Sequence, residues 1–454
     1  MEWKKNDDIQ LHIEAMTSEG AAVGRCDGVA VFVRGAVPGD DITAHIIKVS
    51  KRYCIAVIKE IIQPSPSRIV SDCPVSERCG GCSLRNMTYA EELRYKQQRV
   101  LDAVTRIGHL TVPVKPVIGA ERIDGYRNKA QYPVMMKNGE LQAGFYAYKS
   151  HRIIPVSGCK LQHRAFEECL DVFKDWAKKA KITAYDEQTG KGLLRHIYLR
   201  RAQATGEMMV CAVVNGTALP LQEELIEHLS ALEGMKSICL NSNTQDSNVI
   251  LGDKTVTLWG SDTIEDVLLG KRFAISPNAF YQVNHDQCER LYTIAADYAG
   301  LTGEETVVDI YCGAGTIGIT MADKVKRLFG IELTPQAVEN ARKNAALNGI
   351  TNAEFFCGDA LEGARELEKR GIHADVVILD PPRKGCQPEL FDVIQRMNPQ
   401  RIVYVSCDSA TLARDLAILA EKGYAAQEIT PVDMFPRTPH VETVVLLSRS
   451  DINS

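Results

Sequence analysis

The chain has 454 residues, 45% of them hydrophobic and 24% charged, and its 58 acidic and 53 basic side chains leave a formal net charge of −5. That length exceeds one ordinary core and implies two or three domains, while the composition excludes a disordered or fibrous protein. Slight acidity excludes binding of nucleic acid by bulk charge, and the start Met1-Glu2-Trp3-Lys4-Lys5 carries no apolar leader, so a cytoplasmic protein without membrane contact is expected.

Residues 9–15, 28–33, 41–49 and 53–62 alternate apolar and polar side chains between Gly and Pro punctuation, which predicts short strands of a small closed barrel. The piece from Gly28 to Asp40 resembles the TRAM module, an oligonucleotide-binding-like barrel of RNA-modifying enzymes, so residues 1–62 are expected to bind RNA. Pro64-Ser65-Pro66-Ser67 predicts a linker.

Most of the 14 cysteines stand singly in apolar runs, as Cys54, Cys211 and Cys239 do, and read as small buried hydrophobes. Cys73, Cys79 and Cys82 are different: three close thiols, with Cys159 much later, suit a tetrahedral thiolate site for zinc or for an iron–sulfur cubane, and spacing alone does not choose. From Ser83 to Arg152 twelve Lys or Arg face six Asp or Glu, and Arg94, Lys96, Arg99, Arg122, Arg127 and Lys129 interleave with Tyr89, Tyr95, Tyr126 and Tyr132. Such a stretch suits phosphate contact with base stacking, or else is a solvated helix face. Residues 68–275 are expected to form a central α/β or β-rich domain around the cysteines.

From residue 276 to 454, strand-length apolar runs alternate with helical patterns, which predicts a parallel α/β sheet, Rossmann-like in kind. The expected strands are 306–311, 327–333, 353–359, 374–380 and 401–407. Thr334, Pro335 and Gly349 mark the ends of a helix between the second and third. Each strand ends on a polar or reactive residue, namely Asp309, Glu332, Asp359, Asp380 and Cys407, so these are expected to meet at the carboxyl edge of the sheet. Gly313-Ala314-Gly315-Thr316-Ile317-Gly318 is a glycine-rich turn opening a helix, and Glu332 lies 23 residues after Asp309, the spacing at which an acid grips a ribose diol. A nicotinamide dehydrogenase shares those two features.

Asp380-Pro381-Pro382-Arg383 and Val405-Ser406-Cys407-Asp408 separate the two classes. With these motifs the chain resembles the bacterial RNA uracil-5-methyltransferases, especially the 23S ribosomal-RNA enzymes that join a TRAM barrel, a [4Fe-4S] cluster and a class I methyltransferase domain. The resemblance implies S-adenosylmethionine as methyl donor, contacted by Gln282, Tyr311, Gly313, Glu332 and Asp380. It implies Cys407 as the nucleophile that adds to carbon 6 of uracil, because carbon 5 attacks a methyl group only as part of an enolate. Glu442, flanked by Val441 and Val444, matches the family's proton acceptor, and apolar neighbours should raise its pKa. The resemblance further implies a [4Fe-4S] cluster on Cys73, Cys79, Cys82 and Cys159, and a monomer acting on RNA. Transfer RNA stands as the alternative substrate, and cytosine methylation is disfavoured by Arg383, where such enzymes carry a cysteine. Phe280 and Tyr281 read as core aromatics.

Overall fold

The structure is a computed structural model that describes residues 3–450. Its N-terminal part is one six-stranded sheet, ordered Asp8–His12, Asp41–Val49, Tyr53–Gln63, Val29–Val33, Ala22–Cys26, Ala15–Met16. The sheet curls back on itself, since Glu14 N–H donates to the Val23 carbonyl at 2.9 Å, and a Cβ on Gly24 would lie 2.1 Å from the His12 carbonyl oxygen. Ile9, Leu11, Val31, Ile42, Ile46 and Cys54 alternate onto its inner side. The expected strand over 9–15 is broken at residues 13–14, and Ala22–Cys26 is a strand that the sequence reading lacked. The expected linker is pinned rather than free. Buried Asp40 accepts from Val37 N–H at 2.6 Å and Ser65 N–H at 2.9 Å, and pairs with Arg68 at 2.6 Å.

A seven-stranded sheet follows, ordered Lys254–Gly260, Met235–Ser242, Met208–Val214, Leu194–Arg201, Lys129–Lys137, Glu140–Tyr146, Ile153–Pro155. It is antiparallel except where Met208–Val214 runs parallel to Met235–Ser242. The helices Ala165–Lys179 and Gln222–Ser230 cover one face and close a core around Phe166, Phe173, Trp176 and Leu225.

The C-terminal sheet carries the expected parallel strands in the order Ala353–Cys357, Arg327–Glu332, Thr306–Ile310, Val376–Leu379, Arg401–Ser406, completed by Glu442–Arg449, antiparallel to both its neighbours, and by Tyr424–Val432 at the edge. Helix Pro335–Leu347 begins after Thr334 and ends before Gly349, as those residues predict. This unit draws on chain well before residue 276: the hairpin Ile264–Leu268 and Lys271–Ile275 packs into its core, and Val100 and Val104 of helix Tyr89–Arg106 pack with Leu412 and Leu416. Among the described residues no helix is long and apolar enough to cross a membrane.

Candidate active site

Thr306–Ile310 lies between Arg327–Glu332 and Val376–Leu379, so its carboxyl end opens at the point where strand order reverses, the usual crevice of an open parallel sheet. Tyr311 leaves the strand with φ +70°, a left-handed conformation costly for a residue with a side chain, and its N–H donates to Ile331 at 2.9 Å. Gly313 and Gly315 follow at φ +56° and +78°. A Cβ on Gly313 would meet open space and one on Gly315 would come within 2.8 Å of the end of the Ile319 side chain, so it is the left-handed backbone of both that favours glycine. Glu332 folds over this turn, accepting from Gly313 N–H at 3.2 Å and Thr334 N–H at 2.8 Å. Asp309 is buried and accepts from Gly318 N–H at 3.0 Å. Its second oxygen is buried without a partner, an orphan acceptor that fits a donor group bound in the crevice. Burial pushes Asp309 up to about 7, against the pull of the Gly318 amide.

Three reactive groups meet one strand further along. Ser406 pairs with Thr443 across the antiparallel ladder, so one further step of the register brings Cys407 opposite Glu442. Asp380 follows Leu379, which pairs with Tyr404 of the same neighbouring strand. Their proximity is written in their protonation. Burial, then Asp380, pushes Glu442 up to about 8, and burial alone pushes Asp380 to about 7. Burial, then Glu442 and Asp380, pushes the half-buried Cys407 thiol up to about 11. Arg383 is the cation that opposes the shifts of both Glu442 and Cys407. Cys407 also lies at the start of helix Ser409–Glu421, where Asp408 caps Ala410 and Thr411 N–H at 3.0 Å and the helix dipole favours a thiolate.

Gln282 is buried just before helix His285–Ala299, its carbonyl accepting from Asn128 at 2.8 Å. Cys288 of that helix is raised by burial and also by Asp380 and Glu442, which places the helix against the same crevice. Asp359 follows the carboxyl end of strand Ala353–Cys357, close enough for its charge to act on Tyr311, and it caps helix Ala360–Lys369 through Leu361 N–H at 3.0 Å. Phe280 corrects the sequence reading outright, being 65% exposed, while Tyr281 is buried as expected.

The basic stretch is corrected too. Lys96 is fully buried between Glu92 and Asp433, Tyr126 and Tyr132 are core residues, Arg94 pairs with Glu91, and Arg122 pairs with Asp286 at 2.8 Å. No row of free tyrosines is left to stack bases. Sequence reasoning also missed Asp415, a carboxylate in the apolar face of helix Ser409–Glu421. It accepts from Tyr404 at 2.6 Å and from Cys386 N–H at 2.8 Å, anchoring the end of the Asp380–Cys386 loop. A charge in the apolar series Leu412, Ala413, Leu416, Leu419 was its available signal.

Cys73, Cys79, Cys82 and Cys159 face one cavity of about 300 Å3, together with Arg85, Arg127, Lys129 and Lys160. Gly80 is required there, because a Cβ would lie 2.8 Å from the Tyr146 carbonyl. Among the described residues no group of three or more His, Cys, Asp or Glu is arranged to hold a metal ion.

Residues 231–450 match the family described as tRNA (Uracil-5-)-methyltransferase. Proteins named uncharacterized RNA methyltransferase from Clostridium tetani and Listeria innocua are 43% and 46% identical, covering 98% of this chain and 97% and 98% of theirs. The crystal structure of Pyrococcus abyssi tRNA (uracil-54, C5)-methyltransferase in complex with S-adenosyl-L-homocysteine is similar with a TM-score of 0.78 and 28% identity, over 97% of this chain and all of that one.

Proposed function

Because the chain belongs to the tRNA (uracil-5-)-methyltransferase family of S-adenosylmethionine-dependent RNA methyltransferases, we propose that it methylates carbon 5 of uridine in 23S ribosomal RNA through a covalent bond between Cys407 and carbon 6. What supports this reading is the ladder pair Ser406–Thr443, beyond which Cys407 and Glu442 are the next residues of the two neighbouring segments, with Asp380 following the adjacent strand. S-adenosylmethionine supplies the methyl group when bound, and Gln282, Tyr311, Gly313, Glu332 and Asp380 would hold it. The Cys407 thiolate adds to carbon 6, and the ring's double-bond electrons move to the carbon 5–carbonyl system, making carbon 5 nucleophilic. After carbon 5 is methylated, Glu442 takes its proton. The released electron pair restores the carbon 5–carbon 6 double bond as the carbon–sulfur bond breaks, returning the thiolate. Asp380, next to the rigid Pro381-Pro382 segment, would meet the base. The uridine must leave its stack to reach these groups.

The N-terminal sheet would act as a TRAM-type RNA contact. Its outer side exposes Tyr53 and Ile47 beside Lys51 and Arg52, and Phe32 meets Tyr53 edge-on at 5.5 Å. The four cavity thiols would hold a [4Fe-4S] cluster. A single tetrahedral ion would draw its thiolates to within about 4 Å of one another, whereas a cubane holds them further apart around a shared cavity, and the cations on the wall suit its negative charge. About four irons per chain with matching sulfide is the expected content; a colourless protein with one zinc overturns it.

Ribosomal RNA is the reading supported by the family resemblance, if the chain joins a TRAM-type sheet, a cluster and a methyltransferase sheet. Transfer RNA is favoured by a different observation, the similarity of a tRNA (uracil-54, C5)-methyltransferase across 97% of this chain, its N-terminal and central parts included. Mapping 5-methyluridine in RNA from cells with and without the protein separates them. Loss from 23S ribosomal RNA is expected, loss only from transfer RNA establishes the second reading, and loss from neither overturns both.

A further inference from the structure

The last residue of strand Tyr424–Val432 pairs with Glu442, so the connection over residues 433–441 leaves the sheet beside Glu442 and returns to it. Almost every fixed point of this connection comes from outside the C-terminal sheet. Lys96 Nζ donates to Asp433 at 2.6 Å, to Glu92 at 2.7 Å and to the Phe435 carbonyl at 3.2 Å. Tyr89 donates to the second Asp433 oxygen at 2.7 Å, and Gln287 donates to the Asp433 carbonyl at 3.0 Å. Glu92 accepts from Arg437 N–H at 2.7 Å, and the Tyr126 hydroxyl donates to Pro436 at 3.0 Å. Glu92, Lys96 and Asp433 are wholly buried, and with Arg437 at 3.7 Å from Glu92 the charges balance.

Buried ionic groups of this kind contribute little net stability against apolar residues of equal volume; what they can fix is one geometry among several. The connection needs such fixing, since Arg437 is held at φ +70°, a conformation that a side-chain-bearing residue adopts only when its surroundings impose it. Among the described residues, none of these hydrogen bonds or ion pairs reaches Cys407 or the glycine-rich turn. We propose that Asp433, gripped by Lys96 and Tyr89 of helix Tyr89–Arg106, is a positioning residue for Glu442, setting where its carboxylate stands relative to carbon 5 of the bound base. The inference rests on Glu442 being the proton acceptor.

Positioning of the base governs the last step only, and the covalent cycle makes that step visible. With S-adenosylmethionine and an RNA fragment containing the unmodified target uridine, the purified chain is sampled over time on denaturing gels, which separate the protein–RNA adduct from free RNA. Asp433→Asn keeps the shape and leaves Lys96 paired to Glu92. It should form the methylated adduct at near the native rate but resolve it about tenfold more slowly, and Tyr89→Phe, which strands no charge, should do so about threefold. Equal slowing of formation and decay in both, the mark of a merely structural role, overturns the proposal, as does native decay. Should Asp433→Asn not fold, Tyr89→Phe decides alone. Glu442→Gln separates the two levels: if it accumulates adduct while Tyr89→Phe decays as the native protein does, only the positioning falls; if it accumulates none, the proton-acceptor reading falls and takes the positioning with it.

Discussion

Glu442 stands in the folded protein as a carboxyl that prefers its proton, raised to about 8 by burial and then by Asp380. A carboxyl still protonated cannot accept the carbon 5 proton, so adduct resolution should quicken as pH rises towards about 8 and level off above it. The same shift bears on stability with a definite sign. Below the ordinary carboxylate range Glu442 is protonated in folded and unfolded chains alike and costs nothing. As pH rises the unfolded chain ionises first, so the cost grows and is complete above about 8. Glu442→Gln should therefore melt higher than the native protein at pH 8 and coincide with it near pH 4, which calorimetry at the two pH values checks; equal melting at pH 8 contradicts the burial argument. Cys407 faces the opposite difficulty, a thiol pushed to about 11 that must ionise to react. Arg383 and the helix start pull against that, so Arg383→Gln should move adduct formation to higher pH.

Asp408 shows what an element contributes to a site. As cap of helix Ser409–Glu421 it satisfies two amides next to Cys407, and Asp408→Ala should cost about 1 kcal/mol in urea unfolding and slow adduct formation beyond what that loss implies, since the thiol's backbone is loosened with it. The elements around Cys407 were readable because parallel strands buried on both faces appear as unbroken apolar runs, such as Val307-Val308 and Val376-Val377-Ile378-Leu379, each ending on its reactive residue. The central sheet was not readable in this way. Met208–Val214 is buried at all seven positions, but it pairs antiparallel with Leu194–Arg201 across a short turn and parallel with Met235–Ser242 beyond a helix, a mixed pairing that no local pattern specifies. Helix Tyr89–Arg106 misled for a related reason: its Lys96, which looks like a surface cation by type, finds its counter-charge in Asp433, 337 residues away. Pairings at that separation leave no local mark. The proposed roles of Cys407 and Glu442 rest on the family's motifs alone, whereas their nearness follows from the ladder pair Ser406–Thr443 just before them.

At the scale of the whole molecule, the proposed function divides the work among the three large sheets: the N-terminal one would contact RNA, the central one borders the thiol-lined cavity, and the C-terminal one would hold the chemistry. If the N-terminal sheet contacts phosphates through exposed Lys51 and Arg52, replacing both with alanine should reduce the salt slope of RNA binding by about two. An unchanged slope would place the RNA elsewhere. Replacing Lys96, in contrast, tests no phosphate contact, because the residue never meets solvent. In the proposed cycle Cys407 makes carbon 5 nucleophilic and Glu442 ends the cycle by removing its proton. RNA carrying tritium at carbon 5 of uridine measures both acts in one tube, with released tritium and incorporated methyl groups counted together. The native protein should release one tritium for each methyl group gained, Cys407→Ala should do neither, and Glu442→Gln should gain methyl groups while retaining the tritium; methylation or tritium release by Cys407→Ala would contradict the account.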